Sequence, residues 1–299
     1  MKKAAVTIQS LECELANDRF CRKPLPMRKT RLFPFFAGMA LSLSCSAAAL
    51  AESWQPDMAQ LTVLPGWTRD DGSRVAALQI DLAAGWKTYW RAPGDAGIPP
   101  MFELSGSRNL AAMTPHWPTP EVFSQNGMRS VGYQRSLLLP VLLRPSQTGE
   151  TIRLKGRLMM GVCRDVCVPA ELSINVELPP SVSGPDPRIE AALRDRPMPA
   201  AEAGLRTAHC HLRPTADGMA LRAELQLPDT GGQEYAVVEV GDPLVWVAEA
   251  NISRHGNMLT VETEMMHVEG DALALDRSTL RFTVLGQNRA VDVQGCVAG

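Results

Sequence analysis

Cys163 and Cys167 form the densest chemical motif of the sequence, within the stretch from Gly161 to Pro169. The motif lies between two strand-like segments, so we expect it at the tip of a hairpin, where a bridge forms if the Cα atoms come within about 7 Å. A disulfide that closes so short a loop removes little entropy from the unfolded chain and is a poor staple. Strained or exposed disulfides are the more easily reduced ones. The spacing therefore favours a bond that exchanges with an incoming thiolate.

The same motif is open to two other interpretations. The first is an inert local bridge. The second is a copper site, in which Met159 and Met160 join the cysteines as soft ligands. Paired methionines at a strand end more often fill a core, so the copper interpretation is the weaker one.

A second cysteine pair, Cys210 and Cys296, lies towards the C-terminus. Cys210 shares strand parity with apolar neighbours and should point inward. Pairing with Cys296 would close a loop of 86 residues, which stabilises a fold by about 4 to 5 kcal/mol in the chain-entropy description. We interpret this pair as a structural disulfide, with two free thiols as the alternative. His209 and His211 beside it are interpreted as solvated histidines rather than zinc ligands.

The N-terminus has the features of an export signal. From Met27, basic residues precede an apolar run that ends in an Ala-x-Ala site, which predicts cleavage after Ala51. Residues 1–51 are therefore predicted to be a leader, with translation starting at Met27. An uncleaved spanning helix and a lipid anchor at Cys45 are the alternatives.

Removal of the leader changes the composition of what remains. The rest of the chain has 22 basic and 29 acidic side chains, which gives no indication of nucleic-acid binding. It also has no apolar run near the roughly 20 residues that a bilayer crossing needs, so we expect no spanning helix in the mature chain. Only four cysteines remain, and an even number in an oxidising compartment indicates disulfides. We expect no resident cofactor or metal.

Period-two alternation dominates the mature sequence and predicts an all-β fold. It is clearest in residues 151–158 and 171–178, which flank the cysteine motif, and further strands are predicted at 74–82, 86–90, 101–104 and 136–143. Short strands separated by Gly and Pro turns favour a sandwich of about seven to nine strands.

A change of composition marks a domain boundary after this region. Residues 184–204 are rich in Pro, Ala and Asp and are predicted to be a linker with at most one short helix over 188–196. Alternation resumes afterwards, so residues 205–299 are predicted to be a second, smaller β domain, and residues 52–183 the first.

Four segments resemble the periplasmic N-terminal region of the DsbD-like disulfide reductases, most closely the ScsB type. They are residues 85–97, Trp117 to Phe123, the pair Gly132-Tyr133, and Cys163 to Pro169. The similarity extends over nearly all of residues 52–299.

The resemblance implies an immunoglobulin-like sandwich whose cysteine pair relays two electrons from a membrane-embedded partner to thioredoxin-like periplasmic proteins. It makes Cys163 and Cys167 the redox pair. It also places a cap loop, which shields the cysteines, at Trp117 to Phe123, with Phe123 as the lid and Glu121 beside it. Tyr89 and Trp90 match aromatic positions on a neighbouring strand.

Two departures from the family limit what carries over. DsbD has five residues between its cysteines, whereas this sequence has three, so the thiol geometry of DsbD is not transferred. The sequence also contains no membrane domain and no thioredoxin domain, so we expect either a separate protein, such as a membrane electron carrier, to supply its electrons, or action on some other substrate.

The leading hypothesis is a soluble periplasmic thiol–disulfide interchange protein, with Cys167 as the cysteine that joins the partner. The alternative is a non-catalytic periplasmic binding module. Because ScsB-like systems are linked to copper tolerance, such a module would handle copper.

Overall fold

The computed structural model describes residues 58–94, 97–125, 128–180 and 184–299. Strands, with one short helix, form the regular structure of these ranges, and they assemble into two sandwiches. This confirms the predicted fold class, an immunoglobulin-like β-sandwich with a second β domain. The predicted leader, residues 1–51, lies outside the described residues.

Ten strands build the first sandwich. They are β1 (Ala59–Thr68), β2 (Arg74–Leu82), β3 (Lys87–Tyr89), β4 (Met101–Glu103), β5 (Ala112–Pro115), β6 (Glu121–Gln125), β7 (Met128–Gln134), β8 (Ser136–Arg144), β9 (Ile152–Cys163) and β10 (Cys167–Leu178). One sheet has the order β1-β2-β8-β5. The facing sheet has the order β10-β9-β3-β7-β6, with β4 also paired to β9.

One core lies between these two sheets. Leu78 of β2 and Leu139 of β8 enter it from the first sheet, and Leu154 and Val162 of β9 enter it from the second. Because side chains alternate between the faces of a strand, the residues between these inward positions are left for the outer surface. On the second sheet, that outer surface carries the cysteine motif.

The outer face of the first sheet is covered by a helix, α1 (Pro187–Arg194). Asp186 caps it by accepting a hydrogen bond from the Arg188 backbone N–H at 2.9 Å. Ile189 of the helix is fully buried against Val75 and Ala77 of β2. Both faces of β2 are therefore buried in its first half, which explains the unbroken apolar run from Val75 to Leu78.

Ten shorter strands build the second sandwich. They are β11 (Met198–Pro199), β12 (Ala208–Pro214), β13 (Met219–Gln226), β14 (Tyr235–Glu239), β15 (Val245–Val247), β16 (Asn251–His255), β17 (Met258–His267), β18 (Arg281–Leu285), β19 (Ala290–Gln294) and β20 (Val297–Ala298). One sheet has the order β11-β19-β18-β14, and the other has β15-β17-β13-β12-β20, with β16 paired to β17. Strand β11 falls within the predicted linker range, 184–204.

The second sandwich has a core of its own. Leu221 of β13 and Val261 of β17 enter it from one sheet, and Phe282 of β18 and Val291 of β19 enter it from the other. No helix in the described part of the chain has the length and apolar character that a bilayer crossing needs.

Candidate functional site

The candidate site lies at the tip of the β9–β10 hairpin. Each strand has 12 residues, and they pair without interruption from Ile152 opposite Leu178 to Cys163 opposite Cys167. Directly opposite residues point to the same face of a sheet, so the last pair brings the two sulfurs together. They form a disulfide with a Cα–Cα distance of 4.1 Å.

The two cysteines differ in their access to solvent. Cys163 is fully buried, at 0% exposure, whereas Cys167 is exposed. The hairpin disulfide therefore joins one buried and one solvent-exposed cysteine.

Tyr89 of β3 lies against both sulfurs. Its hydroxyl oxygen is 2.7 Å from Cys163 Sγ and 3.1 Å from Cys167 Sγ. Burial raises the pKa of this hydroxyl, so it carries its proton near neutral pH. Because bridged sulfurs have no hydrogen, the hydroxyl must be the donor of this contact.

Two glycines make room for the Tyr89 ring. A Cβ atom on Gly161 would lie 2.9 Å from Tyr89 Cδ2, and one on Gly97 would lie 2.8 Å from Cδ1. Any larger residue at either position would displace the ring, and with it the hydroxyl. Both glycines are visible in the sequence, but only the fold shows that they flank the same tyrosine.

The strand register places further polar residues on the same outer face. Lys87 of β3 is directly opposite Cys163 on one side and Gln134 of β7 on the other. The Lys87 ammonium lies 4.6 Å from the centre of the Phe123 ring, and Gln134 Nε2 donates to Glu121 Oε2 at 3.1 Å. Phe123 and Glu121, the predicted cap residues, thus lie on strand β6 of this face and are linked to the cysteine row through Lys87 and Gln134.

Other residues of the predicted cap and shield point away from the sulfurs. Trp90, next to Tyr89, turns to the opposite face and is fully buried in the core. Trp117 is buried in the same core. Pro118 is fixed there because its carbonyl accepts a hydrogen bond from the Tyr133 hydroxyl at 2.8 Å. The segment Trp117–Pro120 therefore runs inward, and only its continuation in β6 reaches the outer face.

The hairpin turn presents an exposed apolar side chain directly before Cys167. Arg164 pairs with Asp165 at 3.0 Å, and its guanidinium lies 5.3 Å from the Trp86 ring. Between this pair and Cys167 stands Val166, which is 69% exposed.

Two more exposed apolar residues, which sequence reasoning missed, lie on the same side of the hairpin. Ile98 approaches β9 at Gly161, where a Cβ atom would lie 2.8 Å from Ile98 Cβ. Met101 of β4 lies opposite Met159 of β9. Their sequence neighbourhood, rich in Gly and Pro, hides the pattern that would have indicated them.

A four-ligand copper site does not form around the disulfide. Because successive strand residues alternate in direction, Met159 shares the outer face with the cysteines, whereas Met160 is buried in the core. Elsewhere in the described residues, ligand atoms of His267, Glu269 and Asp271 come within 4.8 Å of one another at the end of β17. Both carboxylates of that group are exposed.

The second cysteine pair occupies a different environment. Cys210 of β12 is 1% exposed and is bonded to Cys296, which lies just before β20. Strand β20 runs parallel to β12, with Ala298 opposite Cys210. The bond therefore fastens the last strand to the second sandwich.

The comparisons with known proteins address the first sandwich and the overall fold separately. Residues 58–177 match the sequence family described as "Thiol:disulfide interchange protein DsbD, N-terminal". The fold is similar to the crystal structure of the N-terminal periplasmic domain of ScsB from Proteus mirabilis, with a TM-score of 0.64 and 22% sequence identity over 81% of this chain and 94% of that one. No curated protein matches the chain.

The family match contains the hairpin as far as Glu177, with both cysteines, and also Tyr89 and strand β6. The structural similarity extends through the second sandwich as well. Residues 58–177 therefore form a DsbD-like N-terminal region, and the chain has a fold similar to that of the ScsB periplasmic domain.

Proposed function

We propose that the protein is a periplasmic thiol–disulfide interchange protein that passes two electrons through Cys163 and Cys167 to or from thioredoxin-like partners. The observation that carries the proposal is the asymmetric disulfide, with one cysteine exposed, the other buried, and a tyrosine hydroxyl in contact with both sulfurs. The matched family and the periplasmic domain of ScsB support the same chemistry and location.

The exchange begins at Cys167, the exposed cysteine. A partner thiolate attacks Cys167 Sγ, a partner–Cys167 disulfide forms, and the bond between Cys167 and Cys163 breaks. The bond's electron pair goes to Cys163, which leaves as a thiolate. The partner's second thiolate then attacks its own bridged sulfur and releases Cys167, so that the partner is oxidised and both cysteines are reduced.

Tyr89 assists the departure of Cys163. Its hydroxyl already lies 2.7 Å from Cys163 Sγ, so it can donate to the thiolate without moving. Hydrogen bonds to a charged acceptor are stronger than those to a neutral one, so the contact strengthens as negative charge develops. In the opposite direction, the Cys167 thiolate attacks a partner disulfide, and Cys163 resolves the mixed disulfide.

The surroundings of Cys167 suit a protein partner. Val166, Ile98 and Met101 are 69%, 40% and 54% exposed, respectively. Apolar groups of this size around a reactive sulfur provide area for a transient contact. We propose thioredoxin-like periplasmic proteins as the partners on this surface, and a separate membrane protein as the source of electrons.

Single-cysteine variants test the proposal. With a purified reduced thioredoxin as the probe, the wild-type protein is expected to oxidise it, and Cys163→Ser and Cys167→Ser are each expected to lose this exchange. Full exchange by both variants would exclude the mechanism.

A thiol reagent tests the order of attack in the same two variants. Cys163→Ser leaves the exposed Cys167 and is expected to react with 5,5′-dithiobis(2-nitrobenzoate) at least roughly tenfold faster than Cys167→Ser, which leaves the buried Cys163. Equal rates would contradict the proposed role of Cys167.

A further inference from the structure

The second sandwich packs directly against the first. Alternate residues of β14 point away from the second core, and of these Tyr235 and Val237 pack against the first core. Leu285 and Ala290, from the neighbouring strands β18 and β19, do the same and are nearly fully buried. The sheet β11-β19-β18-β14 is thus covered on both faces, and the contact between the sandwiches is apolar.

Two ion pairs cross this contact. Arg91 donates to Glu239 with two parallel hydrogen bonds, Nε to Oε1 and Nη2 to Oε2, both at 2.9 Å. The two side chains are only 18% and 20% exposed. Arg129 pairs with Glu249 at 2.7 Å in a more exposed setting, at 35% and 37%. The first pair is the bidentate, better shielded one, which is the geometry in which an arginine holds its position most firmly.

Arg91 lies two residues after Tyr89, at a break in the sheet. The Trp90 N–H donates to the Val131 carbonyl, and the Val131 N–H donates to the Pro93 carbonyl, both at 2.9 Å. The two residues between, Arg91 and Ala92, are therefore displaced from the ladder. The Arg91 guanidinium, 3.9 Å from the centre of the Trp90 ring, is held by Glu239.

We propose that Glu239 of the second sandwich is a positioning residue for the redox site, because it fixes Arg91 and thereby the end of β3 that aims the Tyr89 hydroxyl at the sulfurs. The inference rests on the proposed function. Under this proposal, a residue of the second sandwich affects the rate at which the disulfide of the first sandwich is reduced.

The Arg129–Glu249 pair provides a matched control. Both pairs join the same two sandwiches, but Arg129 belongs to β7, whereas Arg91 follows directly on the strand that carries Tyr89. Glu239→Gln and Glu249→Gln each remove one charge and keep the size of the side chain. An effect that comes from loosening the contact between the sandwiches would be shared by both variants, whereas an effect through Tyr89 would belong to Glu239→Gln alone.

The measurement is the second-order rate constant for reduction of Cys163–Cys167 by dithiothreitol in the full chain, followed by alkylation and mass spectrometry of the hairpin peptide. Glu239→Gln is expected to slow reduction by about threefold. The effect is smaller than the loss of a whole hydrogen bond to the charged sulfur, because the Tyr89 hydroxyl is displaced and not removed. Glu249→Gln is expected to leave the rate unchanged. Equal rates in Glu239→Gln and wild type, or equal slowing in both variants, would overturn the inference.

A double variant shows whether the effect passes through the tyrosine. In a Tyr89→Phe background, Glu239→Gln is expected to have no further effect on the rate, because its target hydroxyl is gone. Additive effects would overturn the inference. Thermal unfolding of each variant identifies any variant that fails to fold. In that case Arg91→Lys, which alters the partner of Glu239 in the ion pair, is measured instead and is expected to slow reduction in the same way.

The proposed function can fail separately from this inference. A wild-type hairpin disulfide that resists dithiothreitol would contradict the interchange function itself. A readily reduced wild-type disulfide with an unaffected Glu239→Gln variant would contradict only the role of Glu239.

Discussion

In the described residues each sandwich contains one disulfide, and the two bonds differ in loop length and in the exposure of one partner, because Cys167 is exposed whereas Cys296 is half-buried. Cys163–Cys167 joins residues four apart at an exposed hairpin tip, and Cys210–Cys296 joins residues 86 apart beside a core. A short loop gains little stability from being closed, so the first bond can open at small cost to the fold. Loop length and the exposure of one partner are therefore the two features by which we expect an exchangeable bond to differ from a structural one.

Selective reduction is the strongest test of this comparison. Cys163 and Cys210 are both buried, but Cys167 is exposed whereas Cys296 is half-buried, so a reductant reaches the hairpin bond more freely than the second bond, whose attack needs local opening of the sandwich. We expect dithiothreitol to reduce Cys163–Cys167 roughly a hundredfold faster than Cys210–Cys296. Alkylation followed by mass spectrometry of the four cysteine peptides gives both rates in one sample. Similar rates would remove the distinction.

The hairpin bond is expected to be reduced faster, but its removal by mutation should cost less stability than removal of Cys210–Cys296. Chain entropy predicts that Cys210→Ala/Cys296→Ala lowers the free energy of unfolding by about 4 to 5 kcal/mol, against about 2 kcal/mol for Cys163→Ala/Cys167→Ala. Urea unfolding measures both values. A larger loss from the hairpin pair would show that its bond supports the fold more than its loop length allows.

Tyr89→Phe removes only the hydroxyl that contacts the hairpin sulfurs. We expect reduction of Cys163–Cys167 to slow by roughly tenfold, because the leaving thiolate loses one hydrogen bond. Reduction of Cys210–Cys296 in the same sample should not change and serves as the internal control. An unchanged hairpin rate would show that the 2.7 Å contact has no chemical effect.

The smallest expected effect is a pH dependence of stability that arises in the first sandwich. Burial, together with Arg196 and Arg69, lowers the pKa of His116 in the first sandwich below its usual 6.5. The unfolded chain then binds this proton more readily than the folded one, so stability is lost as pH falls through 6.5 towards the lower folded-state pKa.

In His116→Gln, this part of the acid destabilisation should disappear. The comparison is the melting temperature of wild type and variant at pH 7.5 and 5.5. Parallel losses in the two proteins would indicate that His116 does not contribute.

Local features of the fold were predictable from the sequence because they depend on neighbouring residues. Strand β2 has the predicted bounds, 74–82; the alternation predicted in 151–158 falls in β9 from Ile152 onward, and that in 171–178 lies within β10. The helix, predicted over 188–196, spans Pro187–Arg194. Strands β6 and β7 were not predicted; the family resemblance implies a cap loop at Trp117 to Phe123, which overlaps the first residues of β6.

The contacts within the site could not be predicted in the same way. Tyr89 and Cys163 are separated by 74 residues, and Arg91 and Glu239 by 148. Only the strand order β9-β3-β7 and the packing of the second sandwich bring these pairs together. Sequence resemblance placed Tyr89 and Trp90 together as aromatic neighbours of the cysteines, whereas strand alternation sends Trp90 to the opposite face.

The uninterrupted pairing of β9 with β10 has a consequence for how the two redox states are told apart. Twelve residues on each side hold the tip in place whether or not the sulfurs are joined. Oxidised and reduced forms should therefore be nearly superimposable in their backbones. A partner protein would then distinguish the two forms by the charge on the sulfur atoms and the distance between them, rather than by a change in backbone shape.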